Sequence, residues 1–142
     1  EVYKETRVME SELSDMETDA EIQMLPADEV DEEKWNNAIV YDESLVSPMS
    51  VQKHFTWTVP AQNFARSTAF IKQKGSQIVV SCYLYSDLNH WVGIRRPDGS
   101  MLYVVGTHQI TKTFNCETTG TYYVFVENRG RVDIKASGYY IR

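Results

Sequence analysis

Hydrophobic and polar residues alternate along most of residues 51–142, which is the period of a β-strand with one buried face. Phe55, Trp57 and Val59 alternate with threonines, and Pro60 ends the run. The alternation and the turn residues between the runs predict about eight strands. These are residues 55–59, 68–73, 77–85, 91–96, 100–105, 108–116, 121–127 and 131–141.

Turn sequences separate these strands every 8–12 residues. Pro97-Asp98-Gly99 is typical of a tight hairpin, because proline presets φ and glycine supplies a positive φ. No long helical pattern lies between the strands, so a parallel sheet with crossover helices is not expected. The pattern therefore predicts an all-β fold, an antiparallel β-sandwich. The number of strands favours a jelly roll over an immunoglobulin-type order.

The first 50 residues follow a different pattern. Residues 1–25 have few large apolar side chains and no period, which indicates disorder or order gained only by docking. Residues 27–41 are compatible with a short helix capped by Asp28, and Asp42 to Ser50 form a connector. We expect residues 27–46 to pack on the sandwich. The side chains that would make this contact are Val30, Trp35, Ile39 and Val40.

Charge divides the chain at the same point. Residues 1–50 carry fifteen acidic and three basic residues, whereas residues 51–142 carry five acidic and eleven basic ones. We therefore divide the chain into an acidic N-terminal segment, 1–50, and a β-sandwich domain, 51–142. A net charge of −12 on the first segment argues against a nucleic-acid partner. The basic cluster of the body is interpreted as solvated charge that balances this segment; it comprises Arg95, Arg96, Arg129, Arg131 and Lys135.

Composition and length exclude a largely disordered chain and a protein with a membrane-spanning helix. The chain has 142 residues, 42% of them hydrophobic, which is ordinary globular usage. No apolar run approaches the roughly 18 residues of a membrane-spanning helix. The sequence begins at Glu1 and shows no signal pattern, which fits either a removed leader or a trimmed chain.

The sequence contains no recognised catalytic motif. The three histidines, His54, His90 and His108, have no zinc-protease spacing, and there is no nucleophile elbow or phosphate-binding glycine loop. Asp87, Asn89 and Asp98 have the oxygen atoms of a calcium site, but they are also ordinary turn residues. We therefore expect no enzyme activity, no cofactor and no metal. The alternative is a small hydrolase with a site at one end of the sandwich that uses a histidine or Asp87.

Aromatic residues give the best functional signal. The strand at 77–85 has apolar residues on both faces, and so does the strand at 121–127. Three interpretations of the second face are open. The N-terminal segment covers it, a second copy of the chain covers it, or it is a binding surface. Tyrosine and tryptophan rings suit sugar or peptide ligands. The candidate ligand-binding residues are Tyr83, Tyr85, Trp91 and Tyr123.

Two segments resemble a known family. Residues 55–60, Phe-Thr-Trp-Thr-Val-Pro, and residues 120–128, Gly-Thr-Tyr-Tyr-Val-Phe-Val-Glu-Asn, are similar to small secreted bacterial β-sandwich domains of the pre-peptidase C-terminal type. The resemblance covers residues 51–142. It implies a non-catalytic, secreted accessory domain, some relatives of which bind polysaccharide or matrix. Relatives often carry acidic calcium ligands near the position of Asp87-Leu88-Asn89, where this chain has one carboxylate.

Cys82 and Cys116 fall in phase with the inward residues of their predicted strands. Periodicity leaves two interpretations open, a disulfide or two free buried thiols. The resemblance to secreted domains favours the disulfide, because an exported chain meets oxidising conditions.

The sequence therefore predicts a secreted, non-catalytic binding or surface-interaction module located outside the cell or at its surface. Its partner would be a protein or a glycan. A carbohydrate-binding module that uses exposed tyrosine and tryptophan is the narrower alternative.

Overall fold

A computed structural model describes residues 17–41 and 52–142. Within these residues the short helices are a 3-10 turn, Ala27–Glu29, and α1, Glu32–Asn36. Strands make up most of the rest. They are β1 Gln23–Leu25, β2 Ile39–Tyr41, β3 Gln52–Val59, β4 Phe64–Ser67, β5 Phe70–Lys72, β6 Gln77–Leu84, β7 His90–Arg95, β8 Met101–Gly106, β9 His108–Asn115, β10 Gly120–Glu127 and β11 Ile134–Ile141.

The strands form two packed sheets. The larger has seven strands in the order β1-β8-β7-β10-β4-β2, with β5 also paired to β10, and the smaller has the order β3-β11-β6-β9. The strand pairs are antiparallel except β2 with β4, which is parallel. The body from β3 onward can be renumbered 1 to 8 in chain order, with β3 as strand 1, β4 and β5 together as strand 2, and β11 as strand 8. The smaller sheet then has the order 1-8-3-6, and the body strands of the larger sheet have the order 5-4-7-2. These are the orders of a jelly roll, so the predicted fold is confirmed.

Alternation in β3 shows why the sandwich forms. Every second residue of this strand is buried, and Trp57 and Val59 are fully enclosed between the sheets. The inward residues of β6 and β10 meet them there and exclude water, which is the main driving force for folding. The Pro97-Asp98-Gly99 hairpin forms as predicted, with Gly99 at a φ of 91°.

The sequence pattern missed one strand of the body. β4 had no predicted counterpart, and the predicted strand at 68–73 is shorter, starting at Phe70. The reason is that β4 is buried on both faces, so its residues do not alternate. Likewise, β11 begins at Ile134 rather than at residue 131, because residues 128–133 form a hydrogen-bonded loop.

The N-terminal part differs from prediction in its details. Asp31, not Asp28, caps α1, by accepting a hydrogen bond from the backbone N–H of Lys34 at 3.0 Å. Trp35 is buried as expected, whereas Ile39 and Val40 lie in edge strand β2, 40% and 46% exposed. Residues 17–41, which we call the arm, therefore contribute strands as well as a helix. The expectations for residues 1–16 and 42–51 lie outside the described residues.

The predicted disulfide is wrong. Cys82 and Cys116 are both buried and free. Cys82 pairs with Ile110 in the sheet, whereas the N–H of Cys116 bonds to Ser76 O at 2.8 Å. Six residues of β6 thus separate the two positions, about 20 Å at the rise of a strand. Burial raises the pKa of the Cys82 thiol to about 12, so this cysteine acts as a small apolar core residue.

Among the described residues, no helix has the length and apolar character needed to cross a bilayer.

Candidate functional site

The outer face of the seven-stranded sheet is covered by the arm. Trp35 of α1 lies edge-on to Phe64, Tyr123 and Phe125, with ring centroids 5.3, 5.4 and 6.1 Å away. The guanidinium carbons of Arg66 and Arg95 are 5.1 and 4.9 Å from the Trp35 ring centroid. These cation–π contacts and the ring packing seal this part of the sheet.

Ion pairs flank the same contact. Glu32 pairs with Arg95, and Lys34 pairs with the buried Glu127, which also accepts from Arg129 at 2.9 Å. Arg96 lies 3.7 Å from Glu117. Three arginines of the predicted basic cluster are therefore matched to carboxylates. This arrangement argues against a continuous basic surface for nucleic acid.

The four candidate ligand-binding residues do not form one site. Tyr123 is half-buried beneath Trp35. Trp91 lies on the same sheet, stacked on Tyr103 at 3.9 Å and under the Arg129 guanidinium at 4.2 Å. Tyr83 lies on the outer face of the other sheet, in β6, and Tyr85 directly follows that strand.

The outer face of the four-stranded sheet carries the exposed aromatic side chains. Tyr83 is 38% exposed and Tyr85 56% exposed, and their ring centroids are 4.8 Å apart at 70°. His108 stacks on Tyr83 at 5.7 Å and lies 3.2 Å from Asp87. We call Tyr83, Tyr85 and His108 the tyrosine face.

Two loops extend this surface at one end of the sandwich. They are residues 85–89 and 128–133, which we call the loop end. Leu88 is 57% exposed and Val132 is 67% exposed. Leu88 Cδ1 lies 3.2 Å from where a Cβ on Gly130 would stand, so the two loops are in contact. Neither apolar residue was predicted from the sequence as part of a site. The available signal was a large apolar side chain within a turn-forming segment.

A buried polar network holds the second loop. Asn128 is fully buried, and its Nδ2 donates to Val59 O at 3.0 Å and to Val132 O at 2.7 Å. Its Oδ1 accepts from the N–H of Gly130 at 2.8 Å. Gln62 Nε2 also donates to Gly130 O at 2.8 Å. Two of these bonds, from Asn128 to Val59 and from Gly130 to Asn128, are buried, and the other two are partly buried. Together they hold the loop backbone in one conformation.

His90 holds the first loop. It is fully buried, its Nδ1 accepts from the N–H of Arg129 at 3.0 Å, and its Nε2 lies 2.8 Å from Ser86 Oγ. A backbone N–H can only donate, so the proton of the neutral imidazole is on Nε2, which donates to Ser86. Burial lowers the pKa of His90, which favours this neutral form. His90 is therefore a structural donor and is in the wrong tautomer to activate Ser86 as a nucleophile.

The remaining candidates for catalysis or metal binding are engaged separately. His54 lies 5.8 Å from the Tyr139 ring, and His108 is beside Asp87. Asp98 accepts from Ser100 Oγ at 2.6 Å and from Ser100 N at 2.9 Å, and these bonds lower the pKa of its carboxyl. Within the described ranges, no group of three or more histidine, cysteine, aspartate or glutamate side chains has the geometry of a metal site.

Comparison with known proteins gives a structural relative. No protein-family model matches the chain, and no curated protein matches it. The fold is similar to that of Aeromonas hydrophila PliG, whose structure is described as a periplasmic lysozyme inhibitor of g-type lysozyme. The TM-score is 0.53 at 8% sequence identity, over 73% of this chain and 96% of that one. At this identity the similarity establishes a shared β-sandwich fold.

Proposed function

We propose that the chain is an exported, non-catalytic binding module whose partner is a protein, held by the tyrosine face and the loop end. One observation carries this proposal. Tyr85, Leu88 and Val132 expose more than half of their side chains, although the loops that bear them are fixed from within. Exposed apolar side chains on a rigid support bind with little loss of conformational entropy.

The ring geometry supports a protein rather than a glycan. A sugar platform needs flat, accessible ring faces. Here the Tyr83 and Tyr85 rings are at 70° to each other, and His108 covers one face of Tyr83 at an interplanar angle of 19°. Tyrosines in mixed orientations with aliphatic neighbours are typical of protein interfaces.

The absence of catalysis is part of the proposal. The one buried histidine beside a serine, His90, donates to Ser86 and cannot act as its base without a change of tautomer. The Asp87–His108 pair is exposed to solvent, which does not provide the water-excluded setting of a hydrolytic centre.

The structural neighbour supports both the partner class and the location. That protein is described as a periplasmic inhibitor, and it acts on another protein, a lysozyme. The resemblance to secreted pre-peptidase C-terminal domains points to the same compartment. We therefore propose that this chain acts outside the cytoplasm, either secreted or periplasmic.

Binding to two probes tests the proposal. The full chain would be immobilised and exposed to purified g-type lysozyme and, separately, to soluble peptidoglycan fragments. We expect saturable binding to the protein probe, weakened at least about tenfold by Leu88→Ala with Val132→Ala. Tyr85→Ala should act in the same direction. Ile71→Ala is the matched control, because Ile71 is 72% exposed on the other sheet and its loss should leave affinity unchanged.

Two results would contradict the proposal. Binding of peptidoglycan fragments without binding of the lysozyme would favour the carbohydrate-binding alternative. Lysozyme binding that responds to Ile71→Ala but not to the loop-end variants would place the interface elsewhere on the molecule.

A further inference from the structure

Lys53 is an anomaly in the sandwich interior. It occupies an inward position of β3, is 4% exposed, and its Nζ has no hydrogen-bond partner among the residues that the structure describes. Lys112, at the other edge of the same sheet, instead donates to Thr18 O at 2.9 Å. Burying an amine without a hydrogen-bond partner costs free energy, and burying it as an ammonium without a counter-charge costs more. A bound anion would remove both costs.

In the described part of the chain, the surroundings of Lys53 contain a second cation but no carboxylate. Lys53 is paired across the sheet with Tyr140, which stacks on Phe70 of the facing sheet at 6.1 Å. The Arg142 guanidinium lies over that Phe70 ring at 5.3 Å. Within residues 17–41 and 52–142, neither Lys53 nor Arg142 has an acidic side chain at ion-pair distance.

This end of the sandwich is separate from the loop end. Lys53 lies six residues before Val59, the residue whose carbonyl receives Asn128 at the loop end. That separation is about 20 Å along an extended strand. A ligand at Lys53 therefore would not contact Leu88 or Val132.

We propose that Lys53 and Arg142 form a binding site for a compact oxyanion, a carboxylate or an inorganic phosphate. The Lys53 ammonium would supply the buried charge-assisted hydrogen bond, and Arg142, over the Phe70 ring, would supply a second positive charge. Phe70 and Tyr140 form an apolar wall that strengthens both interactions by lowering the local dielectric constant. The inference does not depend on the proposed protein partner.

Thermal unfolding of the full chain tests this site. Inorganic phosphate and, in a second series, acetate would be titrated at constant ionic strength against sodium chloride. We expect a saturable rise in melting temperature with at least one of the two, and the series that responds identifies the ligand as phosphate or carboxylate. Lys53→Met removes the ammonium but keeps the apolar stem, and it should abolish the saturable rise. It should also raise the melting temperature in chloride alone, because the unpaired charge is gone.

The control is Lys74→Met, which removes an exposed turn lysine and should keep the wild-type response. Arg142→Gln provides a second, milder variant, for which calorimetry should show about tenfold weaker anion binding. The proposal is overturned if wild type and Lys53→Met respond equally to both anions. It is also overturned if neither anion gives a saturable effect on the wild-type chain.

Discussion

The outer faces of the two sheets carry similar aromatic residues but have opposite surroundings. On the seven-stranded sheet, Tyr123 and Phe125 lie beneath Trp35 of the arm. On the four-stranded sheet, Tyr83 and Tyr85 face solvent. The comparison shows that an apolar second face on a strand does not by itself indicate a binding surface. What decides its role is whether another part of the chain covers it.

Removing the contact between the arm and the covered face should give the largest loss in the free energy of unfolding. Trp35→Ala removes a side chain that is 5% exposed and packed against three rings, so we expect a loss of about 3–5 kcal/mol in the free energy of unfolding. Urea denaturation monitored by circular dichroism measures this change. A loss below about 1 kcal/mol would show that the arm contributes little to the covered face.

The stability that His90 gives the loop end should decrease in acid. Because burial lowers the pKa of His90, the unfolded chain binds a proton there more readily than the folded chain does. This contribution to stability is present above the unfolded pKa of about 6.5 and is lost as the pH falls through the lower, folded value. Urea denaturation at pH 7.5 and pH 5.5 should show a smaller pH-dependent loss for His90→Gln than for wild type.

His90→Gln should also lower stability at pH 7.5, by about 1–3 kcal/mol, since its partners Ser86 and Arg129 lose buried hydrogen bonds. His54→Gln is the control, because His54 is exposed and should leave the pH dependence unchanged. An identical pH dependence in wild type and His90→Gln would refute the neutral, buried assignment.

The open face should show the smallest stability effect. Tyr85→Ala truncates a side chain that is 56% exposed, and we expect a change of less than about 1 kcal/mol in unfolding free energy. The same denaturation assay as for Trp35→Ala provides the comparison. A loss as large as that of Trp35→Ala would mean that Tyr85 is covered in solution.

Sequence alone predicted the sandwich because the alternation of β3 reflects burial on one face and because turn residues separate the apolar runs. It failed for β4, where both faces are buried and alternation disappears. The alternation also placed Cys82 and Cys116 on inward positions. It could not give the register between β6 and β9, and that register keeps the two cysteines apart. Which residues of a strand point inward can be read from that strand alone, whereas the register depends on how two strands pair.

The candidate site was predictable only in part. Tyr83 and Tyr85 followed from the alternation in β6, but so did Tyr123 from that in β10, and the sequence contains no signal for which face the arm covers. Leu88 and Val132 lie in loops, where no period applies. Their exposure depends on Asn128 and His90, whose buried hydrogen bonds join segments distant in sequence.

Hydroxyl-radical footprinting of the free chain of 142 residues, analysed by mass spectrometry, tests the contrast between the two faces most directly. Tyrosine and tryptophan react in proportion to their solvent exposure. We predict that Tyr83 and Tyr85 are oxidised several-fold faster than Tyr123 and Trp35, and that Trp35→Ala raises the rate at Tyr123 without changing that at Tyr85. Equal rates at Tyr85 and Tyr123 in the wild-type chain would contradict the account.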